Sequence, residues 1–305
     1  MNLKSIKFDN LFFEPEVRDG YEVDAKAKKI WAVELDLLKK LLDICEQYNL
    51  KVFVFAGTLL GAVRHRGFIP WDDDIDVCML QEDFLKLEAI ADEAFQKPYF
   101  LQTALTDRKY FFGYGRLRNS ETTGVISWNK SPDYNNGIFL DIFILNGMAS
   151  TDAKLKRHLK KRDMVHKLLN TYNLSYEKKG VKAIVLKAVS LLLRRIISYE
   201  ELIKEYRRVM SEYDETSENV TLLTHDWNFI HKYWCRKSSF TGICYQQFEN
   251  IIVPIPEDYD EILKHTYGDY MEFPPIEKRG KWHDEMICFD PDISYLQYFE
   301  KKDLM

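Results

Sequence analysis

The chain has 305 residues, of which 46% are hydrophobic and 14% aromatic; that is enough for one large domain or two ordinary ones and excludes global disorder. A formal net charge of −5 and a pI near 5.9 argue against nucleic acid held on a globally basic surface. The five cysteines (45, 78, 235, 244 and 288) are odd in number and contain no C-x-x-C pair, which fits a reduced cytoplasmic protein. Cys235 and Cys244 with His231 match no standard zinc spacing and read as buried thiols.

In chain order, residues 1–16 lack the basic-then-apolar build of a signal peptide. Residues 24–49 predict a helix, with Ile30, Val33, Leu37, Leu38, Leu41 and Cys45 spaced three to four apart. KVFVF at 51–55 predicts a buried strand, Gly57 breaks it, and 58–66 predict a short helix. Gly67 and Pro70 mark a turn. Residues 74–80 predict a strand and 81–95 a helix, with acids in its first turn where the helix dipole favours them. Strands follow around 110–117 and 138–145. Residues 25–146 therefore read as an α/β unit. After residue 150 Lys and Arg become dense and helical spacing runs to about residue 213. The segment 181–197 supports two readings: a helix packed on the core, or a basic amphipathic helix lying on a membrane surface. A strand at 248–256 leads into a helix and a Pro-, aromatic- and charge-rich tail. The resulting division is 1–150 as catalytic core, 151–245 as a mainly helical subdomain, and 246–305 as a segment returning to the site.

The stretch FAGTLLGAVRHRGFIPWDDDIDVCM at 55–79 crowds Asp72, Asp73, Asp74 and Asp76 before a strand. Strand alternation puts Asp72, Asp74 and Asp76 on one face, with Asp73, Ile75, Val77 and Met79 on the other. Asp74 and Asp76 are then about 7 Å apart, close enough to share a divalent cation and repulsive without one. An EF-hand loop from Asp72 fails, because its sixth and twelfth positions are Val77 and Asp83. Gly57-Thr58, between a strand and a helix, suits a phosphate: the free amides of the helix start face the anion and Gly permits close approach. Arg64 and Arg66 end the same helix, within reach of phosphates. Asp141 is the only charge in the apolar run GIFLDIFIL and is the best third acid, since an isolated carboxylate there is costly unless paired or metal-bound.

GTLLGAVRHRGFIPWDDDIDV resembles the signature of the LicD/fukutin family of phosphotransferases, in the nucleotidyltransferase superfamily related in fold to DNA polymerase β. The resemblance covers roughly 25–150 and 245–285, including YGRLRNSETT at 114–123, VPIPEDYDEILKHTYGDYMEFPP at 253–275, and the basic-His element at Arg279 and His283. It implies a mixed β-sheet core flanked by helices and a metal site of Asp74, Asp76 and Asp141 holding Mg²⁺ or Mn²⁺. It further implies transfer of phosphocholine from CDP-choline to a hydroxyl of a glycan or lipid-linked oligosaccharide precursor, of teichoic acid or lipopolysaccharide type, with release of CMP. Nucleic acid is not among the implied partners. Other donors (CDP-ribitol, CDP-glycerol or an NTP), a D-x-D glycosyltransferase and an inactive scaffold are the alternatives. Gly57, Thr58, Arg64, Arg66, Arg116 and His283 are candidates for phosphate and nucleotide; Arg116 and Arg118 share a strand face, so either is open. A choline cage needs aromatic faces, for which Trp71, Tyr270 and Trp282 are candidates, with Trp128, Tyr134 and Tyr267 nearby. A lipid-linked acceptor implies work in the cytoplasm, at the inner face of the plasma membrane.

Overall fold

The computed structural model describes residues 2–72, 74–127, 132–173, 181–280 and 286–303. Asp73, Trp128, Trp282 and His283, singled out above, lie outside the described residues.

A hairpin of β1 (Glu16–Arg18) and β2 (Tyr21–Val23) precedes α1 (Ala25–Gln47). Asp24 caps α1 by accepting from the Ala27 amide at 2.7 Å. The predicted apolar stripe of α1 is buried along its length. There follow β3 (Phe53–Val54), α2 (Ala56–Arg64), β4 (Asp76–Leu80), α3 (Gln81–Ala89), α4 (Ala91–Ala94), β5 (Tyr99–Gln102), β6 (Gly115–Asn119), β7 (Thr123–Ile126) and β8 (Ile138–Gly147). The strand expected at 110–117 begins only at Gly115, because Gly113 takes φ +77° and breaks the extended run.

The second half holds α5 (Asp152–Tyr172), α6 (Val181–Ile196), α7 (Tyr199–Met210), β9 (Asn219–Thr221), α8 (Trp227–Lys232), β10 (Cys235–Arg236), β11 (Ile243–Phe248), β12 (Ile251–Pro256), α9 (Tyr259–Tyr267), β13 (Met286–Asp290) and α10 (Tyr295–Asp303). The strand expected at 248–256 is the second half of a hairpin, β11 with β12, turned through Glu249 at φ +50°. Glu249 then reaches back: its Oε1 accepts from the Phe68 amide at 3.0 Å and its Oε2 from Arg18 Nη2 at 2.9 Å. The late hairpin thus fixes the loop that leads into the acidic stretch.

The fold is mixed α/β. Its main sheet has seven strands in which β4 runs parallel to β8 and every other pairing is antiparallel. β4 and β6 flank β8, β3 lies outside β4, and β5 lies outside β6. α1 packs against β8 and β6. The chain carries two apolar cores. One joins α1, the sheet and the β11–β12 hairpin; the other joins α5 and α7 with Leu223 and Ile230. A partly buried ion pair, Arg207 to Glu88, links α7 to α3.

Candidate active site

Register builds the site. In the parallel pair Asp76 stands opposite Asp141, and on the other edge of β8 Asp141 stands opposite Arg116. Residues opposite one another in a sheet share a face. One row across β4, β8 and β6 therefore reads acid, acid, base. The apolar residues alternating with the acids, Ile75, Val77 and Met79, are each 1% exposed or less, as the alternation requires.

Asp76 opens on a cleft of about 710 Å³ lined also by Gly57, Asp72, Asp74, Lys232, Tyr233, Tyr267 and the 269–275 segment; Asp141, the predicted third acid, is not in its lining. All three alternate aspartates of the sequence pattern thus reach one cavity, although the strand itself starts only at Asp76. Burial first, then the charges of Asp141 and Asp72, push the Asp76 carboxyl well above the usual range, with Arg116 opposing them. Acids crowded this way call for a proton or a cation.

Gly57 sits where the chain turns from β3 into α2. A Cβ there would come within 2.8 Å of Asp72 Oδ2, so glycine lets the acid loop close on the helix start. The preceding Ala56 takes φ +46°, a strained turn for a residue with a Cβ. No side chain caps the start of α2. Thr58 is buried, and its Oγ1 accepts from the Asp76 amide at 2.8 Å. It therefore braces β4 rather than facing the cleft.

The two arginines of β6 have different partners. Arg116 Nε donates to Asp141 Oδ1 at 2.5 Å and Nη2 to Oδ2 at 3.3 Å. Burial would lower the Arg116 guanidinium, but Asp141, Tyr114 and Tyr110 together raise it and the net direction is up. Arg118 donates to the Gln102 side chain and, at 2.6 Å, to the Gly137 carbonyl. The Phe139 ring packs under both, with guanidinium carbons 3.8 and 4.7 Å from its centroid. Arg116 is 2% exposed and does not line the cleft.

Of the other candidates, Arg64 lines the cleft and ties it to the C-terminal segment, donating Nη1 to the Tyr270 carbonyl at 2.7 Å and the Glu272 carbonyl at 3.1 Å. Arg66 is exposed at φ +57° and lies outside the cleft lining. Trp71 and Tyr270 both line the cleft. Trp71 already carries a cation, since the Arg279 guanidinium sits 4.5 Å from its ring. The Tyr270 hydroxyl donates to Asp260 at 2.8 Å.

Sequence reasoning missed Lys232 and Tyr233, which fall in the stretch that resembles nothing familiar. Tyr233 and Tyr267 both line the cleft, and the Lys232 ammonium lies 5.1 and 5.2 Å from their ring centroids. Burial raises both phenols, and nearby Asp72 and Asp76 raise them further. The only sequence signal is the spacing of Lys232 and Tyr233 at the end of a short aromatic helix.

Asp76 shares the cleft with Asp72 and Asp74, and the crowding that raises it comes from Asp141 and Asp72, the kind of crowding a divalent cation relieves. Among the described residues no three His, Cys, Asp or Glu side chains close into a ready cage, around these acids or around His231, Cys235 and Cys244. A two-carboxylate site completed by water and substrate phosphate is the form that suits Mg²⁺.

Residues 49–181 match the family described as LicD/FKTN/FKRP, nucleotidyltransferase domain. The chain is similar to the lipopolysaccharide cholinephosphotransferase LicD of Haemophilus influenzae, at 27% identity across 82% of this chain and 92% of that protein. It is also 41% identical over 63 residues to an uncharacterized protein of Rickettsia prowazekii, covering 21% of this chain and 24% of the relative. An uncharacterized protein of Caenorhabditis elegans is 45% identical over 47 residues, or 15% of this chain and 12% of that one. The family resemblance read from the motif therefore holds over the segment that carries β3 to α5.

Proposed function

We propose that this LicD-like chain is a phosphotransferase that moves phosphocholine from CDP-choline to a hydroxyl of a cell-surface glycan precursor and releases CMP. The observation that carries the reading is the row Asp76–Asp141–Arg116 behind a cleft whose lip is the Gly57 turn and whose floor includes Asp74. In this reading the sheet is of nucleotidyltransferase type. Residues 1–150 form the catalytic core, 151–245 a helical subdomain, and 246–305 the segment that closes the cleft.

The donor's pyrophosphate lies over Gly57 and the uncapped start of α2. Asp74 and Asp76 would hold Mg²⁺ or Mn²⁺, which would supply neutralisation of charge at the phosphates. Arg64, anchored on the 270–272 carbonyls, presents its remaining N–H groups to the same oxygens. Arg116 fixes Asp141 by two hydrogen bonds, so the third carboxylate is oriented before substrate arrives. The acceptor hydroxyl attacks the phosphorus that bears choline. A new P–O ester forms, the hydroxyl proton passes to a carboxylate of the row, and CMP leaves with the electron pair of the broken bond.

The pair Tyr233 and Tyr267 supports choline as the donor alcohol. It already receives an ammonium, that of Lys232, on its faces, and a quaternary ammonium is held the same way. The predicted Trp71 likewise receives a cation, that of Arg279, and Tyr270 lines the same cleft.

The test is incubation with Mg²⁺ and each of CDP-choline, CDP-ribitol, CDP-glycerol, CTP and UDP-GlcNAc, with and without a glycolipid acceptor extract. CMP appearing from CDP-choline alone, lost with chelator and restored by Mg²⁺ or Mn²⁺, is the expected result. Turnover of CDP-ribitol or CDP-glycerol instead would reassign the donor, and hydrolysis of UDP-GlcNAc would replace the reaction class.

A further inference from the structure

Helix α6 buries part of its polar face and exposes much of its apolar one. Of Lys187, Ser190 and Arg194, which share one face, Ser190 and Arg194 meet the end of α5, Arg194 while still exposed. Ser190 is 1% exposed and donates to the Tyr172 carbonyl at 3.4 Å. Arg194 donates Nε and Nη2 to the same carbonyl at 3.1 and 2.6 Å and lies over the Tyr172 ring. Leu193 and Ile197 are the apolar residues of this stretch that pack on the second core. Val185, Leu186, Val189, Leu191, Leu192 and Ile196 are left 42–73% exposed. Single exposed leucines are ordinary, but six large apolar side chains on one sixteen-residue helix are not.

Charge selects what covers them. α6 contains no acidic residue, and Arg195 is exposed at its end. The adjoining α5 presents Lys154, Lys156, Arg157, Lys160 and Lys167 to solvent. This cationic concentration stands in a chain of net charge −5, so it is local and not a general property of the surface. A second copy would bring two such cationic faces together, which like charges oppose. The helix is about 24 Å long at 1.5 Å per residue, short of the roughly 30 Å hydrocarbon core. Among the described residues no helix is long and apolar enough to cross a membrane.

We infer that α6 lies in the plane of an anionic lipid surface, with its apolar side chains among the acyl chains and the α5 and α6 cations at the headgroups. This deepens the proposed function by assigning the face that meets a lipid-linked acceptor. The binding itself rests on exposure and charge and is independent of the donor.

Cosedimentation with vesicles of phosphatidylcholine, alone or mixed with phosphatidylglycerol, tests it without any turnover. The protein is expected to pellet with the mixed vesicles, to be released by high salt, and to bind neutral vesicles about tenfold more weakly or less. The double substitution Val189→Glu with Leu192→Glu alters only exposed positions and should abolish binding while leaving the thermal melt unchanged. Arg195→Glu should weaken binding to the mixed vesicles by about tenfold. Should the double variant unfold, hydrogen exchange on the wild-type chain decides: amides at 185–196 gain protection with mixed vesicles. Wild-type protein left in the supernatant with both vesicle types overturns the inference. So does equal binding by the folded double variant, or a concentration-dependent dimer that the same substitutions dissolve.

Discussion

The cleft floor and helix α6 break the same burial rule in opposite directions. At the cleft Asp76 faces the cavity, while Asp141 and Arg116 lie behind it in the sheet, and their charges are held by register, a two-point ion pair and crowding. On α6, leucines and valines are turned out to solvent and a serine is turned in. Local rules that fail in a well-packed fold mark places where stability has been given up for something else. On the proposed reading a cation and a phosphate would complete the site beside the row, and a lipid surface would cover α6. The two differ in how they should respond to mutation: the floor is coupled to the fold, and the outer face of α6 is not.

Substitutions can break or sharpen that contrast. The largest effect is expected at Arg116. Arg116→Met leaves Asp141 without its guanidinium, and should cost about 3–5 kcal/mol in denaturant unfolding. Pairing it with Asp141→Leu should recover part of that loss; strict additivity would mean the two do not act as a unit. Next comes Asp76→Asn, which removes a charge that burial and its neighbours already oppose. Turnover should fall by roughly 10²–10³ while the melting temperature holds or rises. A large drop in melting temperature would make Asp76 a structural residue.

A pH effect of intermediate size is expected at His65. Burial, and then Arg64, lower its imidazole to about 4, with Asp19 opposing. It folds neutral, while the unfolded chain takes up a proton near pH 6.5. Its contribution is therefore intact above about pH 6.5 and is lost as pH falls towards 4, on the order of 2–3 kcal/mol. His65→Gln should flatten that part of the stability–pH curve; an unchanged slope would refute the assignment. Gly57→Ala should push Asp72 away from the helix start and reduce turnover by between about tenfold and a hundredfold, with little change in stability, because a mobile side-chain end is what it meets. The smallest effect is at Leu192, which is 59% exposed: Leu192→Ser should change unfolding free energy by no more than about 0.5 kcal/mol. A cost like that of a buried leucine would place α6 in the core and end the contrast.

The acids were legible because alternation is local. Ile75, Val77 and Met79 fix which way Asp74 and Asp76 point, and the Gly57 turn stands in the same quoted stretch. Asp141 stood out as a lone charge in an apolar run. Its partner was not legible, because Arg116 and Arg118 share one strand face, and only the pairing of β6 with β8 decides which meets Asp141. The brace that Thr58 gives β4 was not legible, because its hydrogen bond with the Asp76 amide spans two elements. Lys232 and Tyr233 come to the cleft through long-range packing that no local pattern announces. The polar face of α6 was legible from spacing, but its partial burial was not: periodicity gives the faces of a helix, and tertiary packing decides which one points out.

The most direct test of the central claim sets the wild-type chain beside Asp74→Ala, with CDP-choline, Mg²⁺ and a glycolipid acceptor, following CMP release and phosphocholine on the acceptor together. The expected result is both products in equal amount from the wild type and neither from a variant whose circular dichroism and melt match it. Undiminished transfer by Asp74→Ala, or CMP release by the wild type with no phosphocholine on the acceptor, would contradict the account.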